Sequence, residues 1–286
     1  MQNLLKVTKH NALIASSYRL SLMEIRIVLY GISLINPNTK EFPISYKINI
    51  NKFARIFQIK EDRLFSELKD VVVKKFWERD FSYIDEKGKV IMRRWLTDII
   101  YHDGEGHLEI FYNYNIKKML HNLQEHFTSY YLDRVKGLKS VYSIRVYELS
   151  IMEYSKLKLY SNIVKFRIKI SYLRDLLGLE NKYKYFRDIR LFVLERAKKE
   201  INKQSDIKID YKVEKLGRTP YEIEFSVKIK KTEEDFKKAE IALKNKEAKE
   251  KDRRANHKPM HSTSSNITTL GSSMVSILKK MEKNID

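Results

Sequence analysis

The residues of this chain best suited to chemistry are cations, and one stretch, Lys182 to Asn202, KYKYFRDIRLFVLERAKKEIN, sets several of them on one face of a helix. The stretch has no Gly and no Pro. Its apolar residues recur at helical spacing: Phe186, Ile189, Val193 and Ala197 share one face, with Leu194 and Ile201 at its edge. At about 100° per residue, Lys184, Arg187, Asp188, Leu191, Lys198 and Lys199 fall on the other side. Such a face holds an anion and breaks no bond. A short helix is predicted just before it, with Ser171 as N-cap and Leu173, Leu176 and Leu177 as its apolar stripe. Gly178-Leu179-Glu180-Asn181 supplies the turn between the two. Helix, turn and basic helix is the sequence form of a helix-turn-helix, whose second helix enters the DNA major groove N-terminus first. The competing reading is a solvated, lysine-rich helix on an ordinary α+β protein, because a basic face alone does not specify a ligand.

Composition narrows the partner. The net charge of +20 and pI of about 9.7 point to an anionic one, nucleic acid first and an anionic membrane second. The length, 286 residues, suits two domains better than one, and 43% hydrophobic content suffices for two cores. Cysteine is absent, which excludes thiol chemistry and favours a reducing compartment, the cytoplasm. No apolar run reaches the length of a membrane span, and the first twenty residues have no sustained apolar core of a secretion signal.

Bond-breaking motifs are missing. There is no Walker A loop, no metalloprotease helix and no His-hydrophobic-His triplet of the kind that rolling-circle nickases pair with a tyrosine. Carboxylates are scattered, with no cluster for two metals. His257 and His261 are four apart but flank Pro259 in a polar tail. The expectation is a binding protein with no enzymatic activity, no cofactor and no metal site.

Taken in order, residues 1–17 read as a loosely structured arm. Ser21 caps the first helix with Glu24 three residues on, a capping box, and the helix runs to about Ile35. Leu13, Leu20, Ile27 and Leu34 lie seven apart, but apolar residues most of the way round favour a buried helix over a zipper. Phe42 to Ile50 alternates as a strand. Asn51 is the expected cap of a short helix, and Glu61 to Phe76 a longer one. Ser82–Ile84, Val90–Ile100 and Leu108–Tyr112 are expected as three strands of one sheet. A helical link, Ile116 to Leu132, leads to a boundary near Gly137. Val141–Tyr154, Lys165–Ile170, Ser171–Leu177, Lys182–Asn202, Ile207–Val213 and Tyr221–Ile229 then repeat the order helix, strand, helix, helix, hairpin.

The halves align residue on residue. Ile25 and Ile27 match Ile144 and Val146 at an offset of 119; Ile48, Ile50, Phe53 and Phe57 match Ile168, Ile170, Leu173 and Leu177 at 120; Phe65, Leu68, Val72 and Val73 match Phe186, Ile189, Val193 and Leu194 at 121. A steady offset over three elements implies a duplication. The predicted fold class is α+β: two tandem winged-helix domains, 18–135 and 136–231, and a charged, partly disordered tail, 232–286.

Val7 to Ser33, VTKHNALIASSYRLSLMEIRIVLYGIS, resembles the opening of theta-type plasmid replication initiators, the iteron-binding Rep proteins. Ile168 to Ile201 resembles their second winged helix, and the likeness spans Val7 to Ile229. The resemblance implies binding to repeated double-stranded DNA sites, iterons, at a plasmid origin in a bacterial cytoplasm. It implies origin opening, recruitment of the host replication initiator and replicative helicase, a monomer–dimer equilibrium and repression of the chain's own gene. It further implies that the second domain reads bases while the first contacts backbone and dimerises. On that basis Lys184, Arg187, Asp188 and Leu191 form the groove face, and Lys182 beside them is a further DNA-binding candidate. Arg or Lys can take guanine bidentately, Asp can accept from cytosine, and Leu can touch a thymine methyl. Arg190, nearer the packed face, and Lys198 are phosphate candidates, the wing residues Lys215 and Arg218 suit phosphate or minor-groove contact, and Arg63, Lys69, Lys74 and Lys75 in the first domain are phosphate candidates. Two other classes remain open at this level. A transcription regulator shares fold and charge; a nickase or relaxase is disfavoured by the missing histidine pair.

Overall fold

The computed structural model describes residues 5–35, 42–60, 64, 68, 76–102, 104–121, 123–157 and 162–230. Each half is built on a buried helix. In the first, α2 (Leu22–Ser33) is capped by Ser21, whose hydroxyl accepts from the Glu24 amide at 3.2 Å while Glu24 returns the bond to the Ser21 amide at 2.6 Å. Glu24 is fully buried, and Arg79 satisfies it at 3.0 Å. Nine of the twelve residues of α2 are buried, so its apolar circumference is used up inside the domain and no zipper forms. Gly31 is required here: a Cβ would lie 2.6 Å from both Ile110 and the Tyr112 hydroxyl, which donates to the Val28 carbonyl.

From α2 the chain passes to β3 (Tyr46–Asn49) and directly into α3 (Ile50–Phe57). Asn49 caps α3, accepting from the Lys52 amide at 2.9 Å, so Asn51, the expected cap, lies inside the helix. Within the expected helix of residues 61–76, Leu64 and Leu68 are described and both are buried; Phe65, Val72 and Val73 lie outside the described residues.

The expected three-stranded sheet is two sheets. β4 (Asp80–Ile84) and β5 (Val90–Arg94) form a hairpin that pairs with β2 (Ser17–Tyr18). Trp95, fully buried against Tyr18 and Phe81, ends that hairpin. β6 (Leu96–His102) and β7 (His107–Tyr112) then join β3 in the order β3-β7-β6. Periodicity could not reveal the break, because Trp95 fits a strand pattern as well as Leu96 does.

Residues 6–14 are ordered, contrary to the expected arm. β1 (Lys6–His10) leads into α1 (Asn11–Ile14), with Val7, Leu13 and Ile14 in the core. β1 pairs with β8 (Phe127–Tyr131), which occupies part of the link expected to be helical; among the described residues there, α4 (Lys117–Leu120) and short turns are helical. The pairing joins residues more than a hundred positions apart, which no local pattern encodes.

The second half repeats the plan. α5 (Val141–Leu157) precedes β9 (Ile163–Lys169), which runs into α6 (Ile170–Leu176). Lys169 occupies the cap position and Ser171, the expected cap, lies within the helix. β10 (Ile207–Leu216) and β11 (Thr219–Ile229) complete a sheet of order β9-β11-β10, the same arrangement as β3-β7-β6. Ile50 and Ile170, 120 apart, each open the helix after a strand, and Leu68 and Ile189 are both buried. The fold is two winged helices.

A buried polar cluster lies between α5 and the N-terminal segment. Glu148 pairs with Lys9 and accepts from the Tyr130 hydroxyl. Arg145, only 2% exposed, donates to the carbonyls of Ile14 (3.0 Å), Ser16 (2.6 Å) and Leu176 (3.2 Å) and to the Tyr18 hydroxyl (2.7 Å). Burial pushes the Lys9 ammonium below the usual lysine range, against the opposing pull of Glu148.

Candidate nucleic-acid interface

The basic stretch is delivered by a turn that the chain holds tightly. α6 ends at Gly178, whose φ of +62° favours glycine. Arg174, one turn earlier, donates to the carbonyls of Leu179 (2.9 Å), Lys182 (3.2 Å) and Tyr183 (2.7 Å). Leu179 is buried beneath them, and Arg19 of the first domain packs over Gly178 and pairs with Glu180. Arg174 is the main residue missed by sequence reading. Its partners are backbone oxygens, which have no sequence signature.

The helix begins as α7 (Phe186–Ile189), passes through a π-helical stretch (Arg190–Glu195) and ends as α8 (Arg196–Gln204). Ile189, Val193, Leu194, Ala197 and Ile201 are buried, as the helical spacing predicts, while Phe186 is only half-buried. The π stretch changes the other face. Each of its residues advances less around the axis than in an α-helix. Arg190, Leu191 and Phe192 are therefore exposed in succession, and Val193 and Leu194 are buried in succession. Arg190 is not near the packed face as expected: its side chain is 65% exposed and lies 3.9 Å from Glu195.

Lys198 departs further from expectation. It turns to the sheet and pairs with Asp210 of β10 at 2.7 Å, a bond that raises the lysine pKa and lowers that of the aspartate. Beside it the Tyr211 hydroxyl donates to Glu195 at 2.6 Å, and burial pushes that hydroxyl's pKa up to about 12. Arg196 pairs with Glu200, and Arg167 with Glu224. These pairs hold Arg196 and Lys198 on the C-terminal half of the helix and Arg167 on the open sheet, while Lys199 and Lys203 stay exposed.

Unpaired charge remains at the N-terminal end and on the wing. Lys182, Lys184 and Arg187 are exposed and, among the described residues, have no ion-pair partner. Lys184 lies over the ring of Tyr185, which is itself exposed. Asp188 is half-buried and Leu191 is 55% exposed. The wing is tighter than expected: β10 and β11 pair as far as Leu216 and Thr219, leaving Gly217 and Arg218 as its turn. Lys215 and Arg218 are exposed there and equally unpaired among the described residues. Exposed Tyr185 and Phe192 were not among the expected contacts; aromatic side chains next to cations were the available signal. Arg63, Lys69, Lys74 and Lys75 lie outside the described residues. No described helix is long and apolar enough to cross a membrane.

Comparison with known proteins agrees with this geometry. A family model described as "Initiator Replication protein, WH1" matches residues 6–151, and one described as "Initiator Rep protein, WH2" matches residues 169–227. A replication initiation protein of Escherichia coli is 26% identical over 234 residues, covering 79% of this chain and 70% of that one. An uncharacterised 27.6 kDa protein of the same organism is 22% identical, covering 77% and 94%. Among solved structures, Pi initiator protein in complex with iteron DNA has the same fold, with a TM-score of 0.68, 21% identity, and coverage of 81% of this chain and all of the other.

Proposed function

That this chain belongs to the initiator replication protein family is the premise from which we propose its function: it binds repeated sites, iterons, in double-stranded DNA at a replication origin and promotes the opening of that origin. The observation that carries this reading is the placing of unpaired cations. Lys182, Lys184 and Arg187 sit at the end of the helix that enters a groove first, and Lys215 and Arg218 sit on the wing beside it, while Arg196 and Lys198 further along that helix are paired. In this reading Arg187 contacts a guanine, Asp188 and Leu191 adjoin it, and Lys182, Lys184, Arg190, Lys215 and Arg218 hold phosphates. Residues 136–231 form the base-reading domain, and 18–135 contribute backbone contact.

Recruitment of host replication proteins, autorepression and self-association belong to the same proposal, supported by family membership. Edge strand β5, with Val90 and Met92 exposed, is a surface suited to self-association.

The test is a binding series over single-base variants of the site. Arg187→Ala should lose about 1–3 kcal/mol of discrimination at one base pair and leave the others unchanged. A uniform loss of affinity with intact base preferences would overturn the proposed docking. Replication of a plasmid carrying only the origin, when the chain is supplied in trans, separates an initiator from a transcription regulator.

A further inference from the structure

The turn joining β6 to β7, the wing of the first domain, gathers two histidines and a glutamate. His102 and His107 face each other as the last pair of the ladder, their rings stacked with centroids 4.1 Å apart. Glu105 lies in the turn between them. Its Oε2 is 3.9 Å from His102 Nδ1 and 3.7 Å from His107 Nδ1. Gly104 and Gly106, at φ of +77° and +66°, allow the chain to fold back so that the carboxylate returns over both rings.

We propose that His102, Glu105 and His107 form a site for a divalent transition metal, zinc by ligand chemistry, at the tip of this wing. Two imidazole nitrogens and one carboxylate oxygen with a fourth position left to water is a common zinc donor set. Bonds of about 2.0–2.2 Å in a tetrahedron place ligand atoms roughly 3.3–3.6 Å apart. The two carboxylate–imidazole separations need to close by a few tenths of an ångström, and the stacked rings, whose ligand atoms lie within 4.8 Å of one another, have to tilt so that both lone pairs converge. Glu105 is 65% exposed and free to follow.

A second observation, outside the three ligands, points the same way. A metal-bound histidine almost always gives its other ring nitrogen to a carboxylate or carbonyl, which orients it. His102 has this arrangement: its Nε2 lies 3.3 Å from Glu109 Oε2. Glu109 is in turn held by the Ser45 hydroxyl, which donates to its other carboxylate oxygen. His107 turns Nδ1 toward the same turn, 3.4 Å from the Glu105 carbonyl oxygen, while its Nε2 is buried without a hydrogen-bond partner.

Zinc here would fix the wing and neutralise the carboxylate at its tip, which otherwise faces any phosphate the wing approaches. That consequence rests on the proposed function; the site itself does not, and its test uses no DNA. The full chain, purified without metal, is titrated with zinc chloride against a chromogenic chelator. Wild type should take up one tight equivalent. His102→Gln and His107→Gln should each weaken it at least tenfold, and Glu109→Gln about ten- to a hundredfold. The double variant His257→Gln/His261→Gln, in the tail, should retain it. In wild type, ring nitrogen resonances of His102 and His107 should shift with the first equivalent, a reading that needs no variant to fold. Lack of uptake by wild type, equal uptake by His102→Gln, or ring shifts confined to other histidines would overturn the site.

Discussion

Replacing Arg145 with methionine should destabilise the fold by about 3–5 kcal/mol, because it leaves several buried acceptors without a donor at roughly 1–3 kcal/mol each, offset in part by the guanidinium no longer being dehydrated. The guanidinium makes four hydrogen bonds of 2.6–3.2 Å and lies 3.8 Å from the centroid of the Tyr18 ring. Bonds from a charged donor contribute roughly 1.5–3 kcal/mol each, so a plain sum overshoots. Dehydrating the guanidinium opposes them, and its Nε is buried without a partner. What methionine leaves behind decides the magnitude: three carbonyls and a tyrosine hydroxyl lose their donor at once. Glu148 keeps Lys9 and Tyr130, so the change does not strand a second charge. Against a typical stability of about 5–15 kcal/mol, this is a large share. Urea unfolding should show a lower midpoint at an unchanged slope. Tyr18→Phe, which removes one of the four acceptors, should cost only about 1 kcal/mol. A loss below about 1 kcal/mol for Arg145→Met would show that the cluster contributes little net stability and would refute the reasoning. Base preferences at a permissive temperature should not change, since Arg145 is buried and offers no atom to a groove.

Gly178→Ala should cost about 1–2 kcal/mol, because a left-handed φ strains a Cβ and the new methyl would lie 2.5 Å from Arg19; a neutral thermal shift would contradict this. Lys198→Ala should cost under about 1 kcal/mol, as expected of a partly exposed pair, and leave the base preference untouched; a changed preference would place Lys198 in the groove. Lys215→Ala with Arg218→Ala should flatten the log–log salt dependence of binding by about 0.9 for each phosphate no longer neutralised; an unchanged slope would remove the wing from the interface.

Local chemistry carried much of this protein. The capping box at Ser21 and Glu24, the turn at Gly178 and the apolar face from Ile189 to Ile201 depend on neighbours within a few residues, and short-range spacing displays them. The duplication was legible for a related reason: Ile50 and Ile170 meet the same packing demand 120 positions apart, and that demand preserves residue type. Tertiary structure decided the rest. The ordering of residues 6–14 depends on pairing with Phe127–Tyr131, and the split of one expected sheet into two depends on where Trp95 finds its pocket. The polar cluster at Arg145 is assembled from segments that are neighbours only after folding. On the basic helix itself, periodicity assumes a uniform turn, and the π stretch at Arg190 breaks that assumption. Arg190 is exposed and Lys198 is paired because packing, not spacing, sets the rotation of the helix beyond Ile189.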